Sequence, residues 1–168
     1  MNSPTALHQL GLFIFSFQHV ENRLKNLIAL IAGDDEEATQ ILINYMEYNQ
    51  LIKTIDVLFA RYINIHKDAE KSVKDEFHNL MVDLGKLGER RNELVHSHYF
   101  RWIDIEGREG LLRQNSKLSR KAGISEETEE ELQPNAFDND LKKLENADAH
   151  IESFRLQVID CLYPVDRA

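Results

Sequence analysis

The chain has little of what a disulfide-bonded, fibrous or membrane-spanning protein needs. Its single cysteine, Cys161, has no partner for an internal disulfide and cannot form a four-cysteine zinc site. Three prolines and seven glycines in 168 residues exclude collagen-like and low-complexity chains. The longest apolar run near the start, Leu12–Phe17, is interrupted by Ser16 and is too short for a transmembrane helix or a signal-peptide core. We therefore expect one globular domain, residues 1–168, in a reducing compartment such as the cytoplasm and not in a membrane.

Positive charge is also scarce, and it is unevenly placed. The chain has 20 basic and 29 acidic residues, a net charge of −9, so its overall field repels nucleic acid. Residues 86–121 nevertheless carry nine basic and five acidic side chains, whereas residues 125–152 carry two basic and ten acidic ones. Such blocks are ordinarily solvated surface. Any site for RNA must therefore be local, and residues 86–121 are where it would lie.

The sequence is rich in helical periodicity. Apolar residues recur at intervals of three and four along four stretches, and the prolines and glycines fall mostly between them. This pattern predicts an all-α fold, an up-and-down bundle of four main helices. The expected helices run from Ser3 or Thr5 to about Ala32, from the end of Gly33–Asp35 to about His66, from about Asp68 to Ser97, and from Asn135 or Asp138 to just before Pro164.

The period changes between the third and last helices. Tyr99–Ile105 clusters aromatic and β-branched residues, Glu106–Gly110 has the composition of a turn, and Leu111–Arg113 can return as a second strand. We expect residues 98–134 to form a short β-hairpin-like or irregular insertion. The polar stretch Asn115–Pro134 within it is expected to be mobile.

A cluster of basic and polar residues lies at the C-terminal end of the predicted third helix. Arg91 and Asn92 are followed by His96 in an Arg-Asn-x-x-x-His run. This run resembles the signature of the HEPN superfamily, small α-helical bundles in which an Arg-x(4–6)-His motif serves in many members as a metal-independent endoribonuclease site. The resemblance covers the bundle and the motif, whereas residues 98–134 have no counterpart in it.

The resemblance implies a ribonuclease of the toxin or phage-defence kind. It implies a homodimer with the motif at a shared cleft, an antitoxin or other regulatory protein as a further partner, and neither a metal nor a cofactor. The chemistry suits these residue types, because RNA supplies its own 2′-hydroxyl nucleophile and needs only a base, an acid and positive charge on the phosphate. The expected products are 2′,3′-cyclic phosphate and 5′-hydroxyl ends. The predicted catalytic residues are Arg91, Asn92 and His96, and the predicted substrate-binding residues are Arg90, His98 and Arg101.

Helical geometry adds two expectations around the motif. Asn92 and His96 share a helix face with Gly85 and Gly88, and these glycines would let a second copy of the chain pack closely. Arg91 lies about 140° from His96, among apolar residues, where an unpaired guanidinium is costly.

We expect an acidic residue to support Arg91. Glu21 interrupts the apolar stripe of the first helix and is the preferred ion-pair partner. Asp148 in the last helix is the alternative.

Two further alternatives stay open. His98 also fits the spacing from Arg91 and could replace His96, and the two histidines could in principle ligate a metal. The rival function is a HEPN-like bundle without catalysis that serves as a dimerisation, regulatory or RNA-binding module. The acidic residues of the segment 125–152 favour that rival.

Overall fold

A computed structural model of the protein describes residues 5–33, 36–66, 71–119 and 124–163. The expected helix starts at Ser3 and Asp68, and the acidic turn at Asp34 and Asp35, lie outside these residues. The described elements are α1 (Ala6–Ala32), α2 (Glu36–Asn44), α3 (Tyr48–Ile65), α4 (Lys71–Val95), β1 (His98–Ile103), β2 (Glu109–Ser119), β3 (Ile124–Leu132), a 3-10 helix (Pro134–Phe137) and α5 (Asp138–Leu162).

The expected all-α fold is wrong, because residues 98–132 contribute a three-stranded antiparallel sheet with the strand order β1-β2-β3. Its register pairs Phe100 with Leu112, and Leu112 with Glu131. The polar segment expected to be mobile supplies the end of β2 and all of β3. An antiparallel strand needs apolar side chains on its covered face alone, so the glutamate-rich β3 escapes a search for apolar residues.

The predicted second helix is two helices, α2 and α3, with a break at Tyr45–Glu47. Glu47 has an extended backbone, with φ −65° and ψ 152°, and forms a reciprocal capping box with Gln50. In that box the backbone N–H of Glu47 donates to Oε1 of Gln50 at 3.3 Å. Because the capping box satisfies N–H groups at a helix start, α3 begins anew although the apolar spacing continues through the break.

The ends of the first and last helices confirm their predictions. Helix α1 ends at Ala32 and is followed by Gly33, whose φ of +85° is the left-handed conformation in which glycine commonly ends a helix. Helix α5 begins at Asp138 and ends at Leu162. None of the described helices is apolar over a length that would cross a membrane.

The chain divides into two compact units. The first comprises Met1–Phe17 and Glu89–Lys143, and the second comprises Gln18–Gly88 and Leu144–Ala168. The core of the second unit contains a cluster of three phenylalanine rings, with Phe59 stacked on Phe77 at 4.0 Å between ring centres and Phe154 edge-on to both. The first unit contains the sheet and all the predicted site residues except Glu21. Its buried apolar side chains include Phe13, Phe17, Leu94, Leu111, Leu132 and Phe137.

Candidate functional site

The motif lies at the end of α4 and in the turn that follows. Arg91 and Asn92 belong to the helix, and the N–H of His96 donates to the carbonyl oxygen of Asn92 at 3.1 Å. The side chains of Asn92 and His96 are exposed, as are those of His98 and Arg101 on β1. The predicted imidazoles are therefore open to a ligand from solvent.

Arg91 is half-buried and is held by two neighbours. Its Nη1 donates to Oδ1 of Asn92 at 3.1 Å, and its guanidinium carbon lies 5.7 Å from the centre of the Phe17 ring. A cation over an aromatic face is stabilised without a carboxylate. The bond to Asn92 draws the guanidinium toward the helix face that carries His96. None of the ion pairs described in this part of α4 and the sheet includes Arg91.

Glu21, the partner expected for Arg91, forms an ion pair within α1. Oε1 of Glu21 lies 3.0 Å from Nζ of Lys25, one turn along α1, with side chains that are 13% and 15% exposed. Asp148, the alternative, has Nε of Arg23 at 3.0 Å from its carboxylate. A lysine four residues along a helix is within reach of a glutamate, which explains the pair of Glu21 with Lys25. The support of Arg91 by Glu21 stays a prediction.

Arg90, which is predicted to bind substrate, is half-buried and forms ion pairs within the protein. Its Nη1 and Nη2 donate to the two carboxylate oxygens of Glu130 at 3.1 and 3.2 Å, and its Nε lies 3.5 Å from Asp140. Arg113, which is only 8% exposed, reaches the same carboxylate with Nε at 2.7 Å from Oε2 of Glu130. Nη1 of Arg113 also donates to Oγ of Ser97 at 3.3 Å. This charge network ties the end of α4 to β2, β3 and the start of α5.

Glu130 and Arg90 each favour the ionised form of the other. Burial alone raises the pKa of Glu130, but the hydrogen bond from Arg90 and the charges of Arg90 and Arg113 outweigh burial and hold it below its ordinary value. Burial lowers the pKa of Arg90, but its bond to Glu130 and the charges of Glu130, Asp140 and Glu93 together outweigh burial and raise it. The same surroundings cover Tyr99, whose hydroxyl donates to the carbonyl oxygen of Leu94 at 2.6 Å and whose pKa is raised by burial. The helix end that carries the motif is thus fixed to the sheet.

Sequence reasoning missed Arg113 and Glu130. Both lie in the segment expected to be a short return strand followed by mobile chain. The sequence did contain a signal: Arg113 lies two residues after Leu111, and Glu130 lies two residues before Leu132. Residues two apart on a strand point to the same face. This spacing places Arg113 and Glu130 on the same covered face as the two leucines.

One of the two glycines expected to receive a second copy of the chain is already covered. Gly88 is buried, and the ring of Tyr48 in α3 fills the space beside it. Gly85 has no atom within 4 Å of the position of an added Cβ. The predicted homodimer stays a prediction, and Gly88 is not the surface on which it forms.

No metal cluster accompanies the motif in the part of the chain that is described. No group of three histidine, cysteine, aspartate or glutamate side chains comes close enough there to hold a metal ion.

No protein-family model, curated protein or solved structure matches the chain. The resemblance to the HEPN superfamily therefore stays a prediction, carried by Arg91, Asn92 and His96 in the sequence.

Proposed function

We propose that the protein is a metal-independent endoribonuclease of the toxin or phage-defence kind that acts in the cytoplasm through Arg91, Asn92 and His96. The hydrogen bond from Arg91 to Asn92 carries the proposal. It directs a guanidinium that takes part in none of the nearby ion pairs described in the first unit toward the exposed helix face of His96. A cationic fork and an exposed imidazole are the groups that a phosphodiester requires.

The reaction needs a proton to be removed at one oxygen and delivered to another. In a homodimer, His96 takes the proton of the RNA 2′-hydroxyl, and the 2′-oxygen forms a bond to phosphorus. The bond from phosphorus to the 5′-oxygen breaks, and His96 of the partner subunit gives that oxygen its proton. Arg91 binds the phosphate oxygens, where negative charge develops, and Asn92 holds Arg91 through Oδ1. The products are a 2′,3′-cyclic phosphate and a 5′-hydroxyl.

Cleavage of RNA in excess EDTA tests the proposal. We expect His96→Ala and Arg91→Ala each to lower the rate by about 100-fold or more, since each removes a group that acts in the transition state. His150→Ala and Arg61→Ala are matched controls, because both side chains are exposed and lie outside the motif. Equal rates for all five proteins would contradict the proposal.

A change at Asn92 tests the role of the Arg91 charge. Asn92→Asp places a carboxylate where Arg91 now donates to an amide, and the resulting ion pair competes with phosphate. We expect Asn92→Asp to weaken RNA binding more than Asn92→Ala does. If Asn92→Ala weakens RNA binding more than Asn92→Asp does, Arg91 does not bind the phosphate.

The oligomeric state separates the enzyme from its rival. Light scattering is expected to give a dimer, and expression of the wild type, but not of His96→Ala, is expected to inhibit growth unless an antitoxin or regulatory protein is present. Full activity in a strict monomer would contradict the paired-histidine mechanism. RNA binding without cleavage would favour a non-catalytic dimerisation, regulatory or RNA-binding module.

A further inference from the structure

One face of the sheet in the first unit is exposed to solvent at most of its positions. On the opposite, covered face lie Leu111, Arg113 and Leu132, all buried. Because side chains alternate along a strand, the residues between these point away from the covered face. We name this surface the open sheet face; it comprises His98, Phe100 and Trp102 of β1, Gly110, Leu112, Gln114 and Ser116 of β2, and Glu127, Glu129 and Glu131 of β3.

The register arranges the middle of the open sheet face in two rows that cross all three strands. Phe100, Leu112 and Glu131 form one row. Gln114 and Glu129 belong to the next row, and Nε2 of Gln114 donates to Oε1 of Glu129 at 2.5 Å. These two rows begin with His98 and Phe100 on β1 and end with a carboxylate on β3. Trp102 pairs with Gly110, which lies beyond the described pairing of β2 with β3.

The β1 side of the open sheet face is apolar at Phe100 and Trp102 and has the exposed imidazole of His98 at its end. Phe100 is 54% exposed, and Leu112 beside it is half-buried. The indole of Trp102 lies against Gly110, where an added Cβ would be 2.8 Å from Nε1. An exposed phenylalanine with apolar neighbours on a sheet face is typical of a surface that binds another apolar surface.

The β3 side of the open sheet face is acidic. Glu127, Glu129 and Glu131 are all exposed, and alternate residues of a strand lie about 7 Å apart. The apolar and acidic edges are separated by two strand spacings, about 10 Å. No lysine or arginine belongs to this face to neutralise the three carboxylates.

We propose that the open sheet face binds an amphipathic helix of another protein, with an apolar stripe flanked by arginine or lysine. A helix with its side chains is about 10 Å wide, which matches the distance between the two edges. Basic residues four apart on a helix lie about 6 Å from each other, close to the step between alternate glutamates. The apolar stripe covers Phe100 and Leu112, while the basic flank meets the glutamates of β3.

The same charges disfavour other occupants. RNA phosphates are repelled by three exposed carboxylates. Two copies of this face packed together would bury six carboxylates with no lysine or arginine of the face to pair with them. Because His98 lies at the end of the open sheet face, the bound helix would lie beside the proposed ribonuclease site, but its binding does not depend on that activity.

Trp102 provides the measurement, because it is the only tryptophan of the chain. The probe is a synthetic peptide of about 18 residues, long enough to form a helix on the surface, with leucines on one side and arginines flanking them. The comparison peptide has glutamate at every arginine position. We expect the arginine peptide to change Trp102 emission saturably, with an affinity that falls as salt is added.

Substitutions on the face test both halves of the proposal. We expect at least a tenfold lower affinity for the arginine peptide in Phe100→Ser and in the double variant Glu129→Lys/Glu131→Lys. The double variant is expected to bind the glutamate peptide instead. Glu37→Lys/Glu145→Lys makes the same change of net charge at exposed positions of α2 and α5 and is expected to leave the affinity unchanged. Circular dichroism and thermal unfolding establish that each variant is folded.

Several results would overturn the proposal. These are an equal response to both peptides, no response to either, or an affinity that the charge reversal leaves unchanged. Emission changes with a single-stranded oligoribonucleotide that disappear in Phe100→Ser would assign the face to RNA. Self-association of the protein that disappears in Phe100→Ser would assign it to a second copy of the chain.

Discussion

The ring of Tyr48 lies where a side chain at position 88 would begin. Its Cε1 and Cδ1 atoms are 2.5 and 2.7 Å from the position that a Cβ of Gly88 would take. The hydroxyl of Tyr48 donates to the carbonyl oxygen of Leu84 at 3.1 Å, so the ring cannot swing away without losing this bond. Gly88 was expected to let a second copy of the chain pack closely, but the space beside it is filled by Tyr48 of the same chain.

We therefore expect Gly88→Ala to destabilise the fold. Alanine favours a helix over glycine by about 1 kcal/mol, but the clash with Tyr48 costs about 1–3 kcal/mol and prevails. Gly85→Ala is the matched control, since nothing lies within 4 Å of its added Cβ, and it is expected to stabilise the protein. Urea unfolding of both variants checks the opposite signs, and stabilisation by both would show that the Tyr48 ring moves freely.

Glu130→Gln is expected to lower the free energy of unfolding by about 2 kcal/mol at neutral pH, because it leaves Arg90 and the buried Arg113 without their shared carboxylate. Glu127→Gln, at an exposed position of the same strand, is expected to change it by less than about 0.5 kcal/mol. Chemical denaturation at pH 7 measures both. A loss of equal size in the two variants would mean that the charge network does not stabilise the fold.

The same charge network predicts that the stability of the fold depends on pH in the acidic range. The pKa of Glu130 in the folded protein lies below its ordinary value of 4.5, since the arginines outweigh burial. Its contribution to stability is therefore present above pH 4.5 and is lost as the pH falls through the lower, folded value. Unfolding measured between pH 7 and pH 3 is expected to show a steeper loss in the wild type than in Glu130→Gln. Parallel curves would contradict this linkage.

Tyr62 predicts a second pH dependence, on the alkaline side. Its hydroxyl donates to the carbonyl oxygen of Val158 at 3.1 Å, and burial, with a smaller effect of Cys161, raises its pKa to about 12. Its contribution is present below the ordinary pKa of 10.0 and is lost as the pH rises from there toward 12. We expect Tyr62→Phe to cost about 1 kcal/mol at neutral pH and to remove this part of the alkaline loss.

Unfolding curves at pH 7 and at pH 10 to 11 check the prediction for Tyr62. Tyr45→Phe is the control, because Tyr45 is 88% exposed and its hydroxyl is expected to contribute little to stability. If Tyr62→Phe leaves the free energy of unfolding unchanged both at pH 7 and at pH 10 to 11, the prediction is contradicted.

The candidate site was predictable only in its local part. The placement of Arg91, Asn92 and His96 at the end of a helix follows from the apolar spacing that predicts α4, and so does the exposure of Asn92 and His96 on one face. The partners of the arginines did not follow. Arg90 binds Glu130, which lies 40 residues away in the sequence, and no pattern within a helix identifies such a contact.

The amino-acid sequence by itself determined the ends of α1 and α5, because helix hydrogen bonds join residues four apart and glycine or acidic residues at the ends act locally. Tertiary structure alone decided that a glutamate-rich segment becomes β3, that Gly88 receives Tyr48, and that Arg91 lies over Phe17. The physical reason is distance along the chain. A strand obtains its hydrogen bonds, and a buried charge its partner, from residues that only folding brings near.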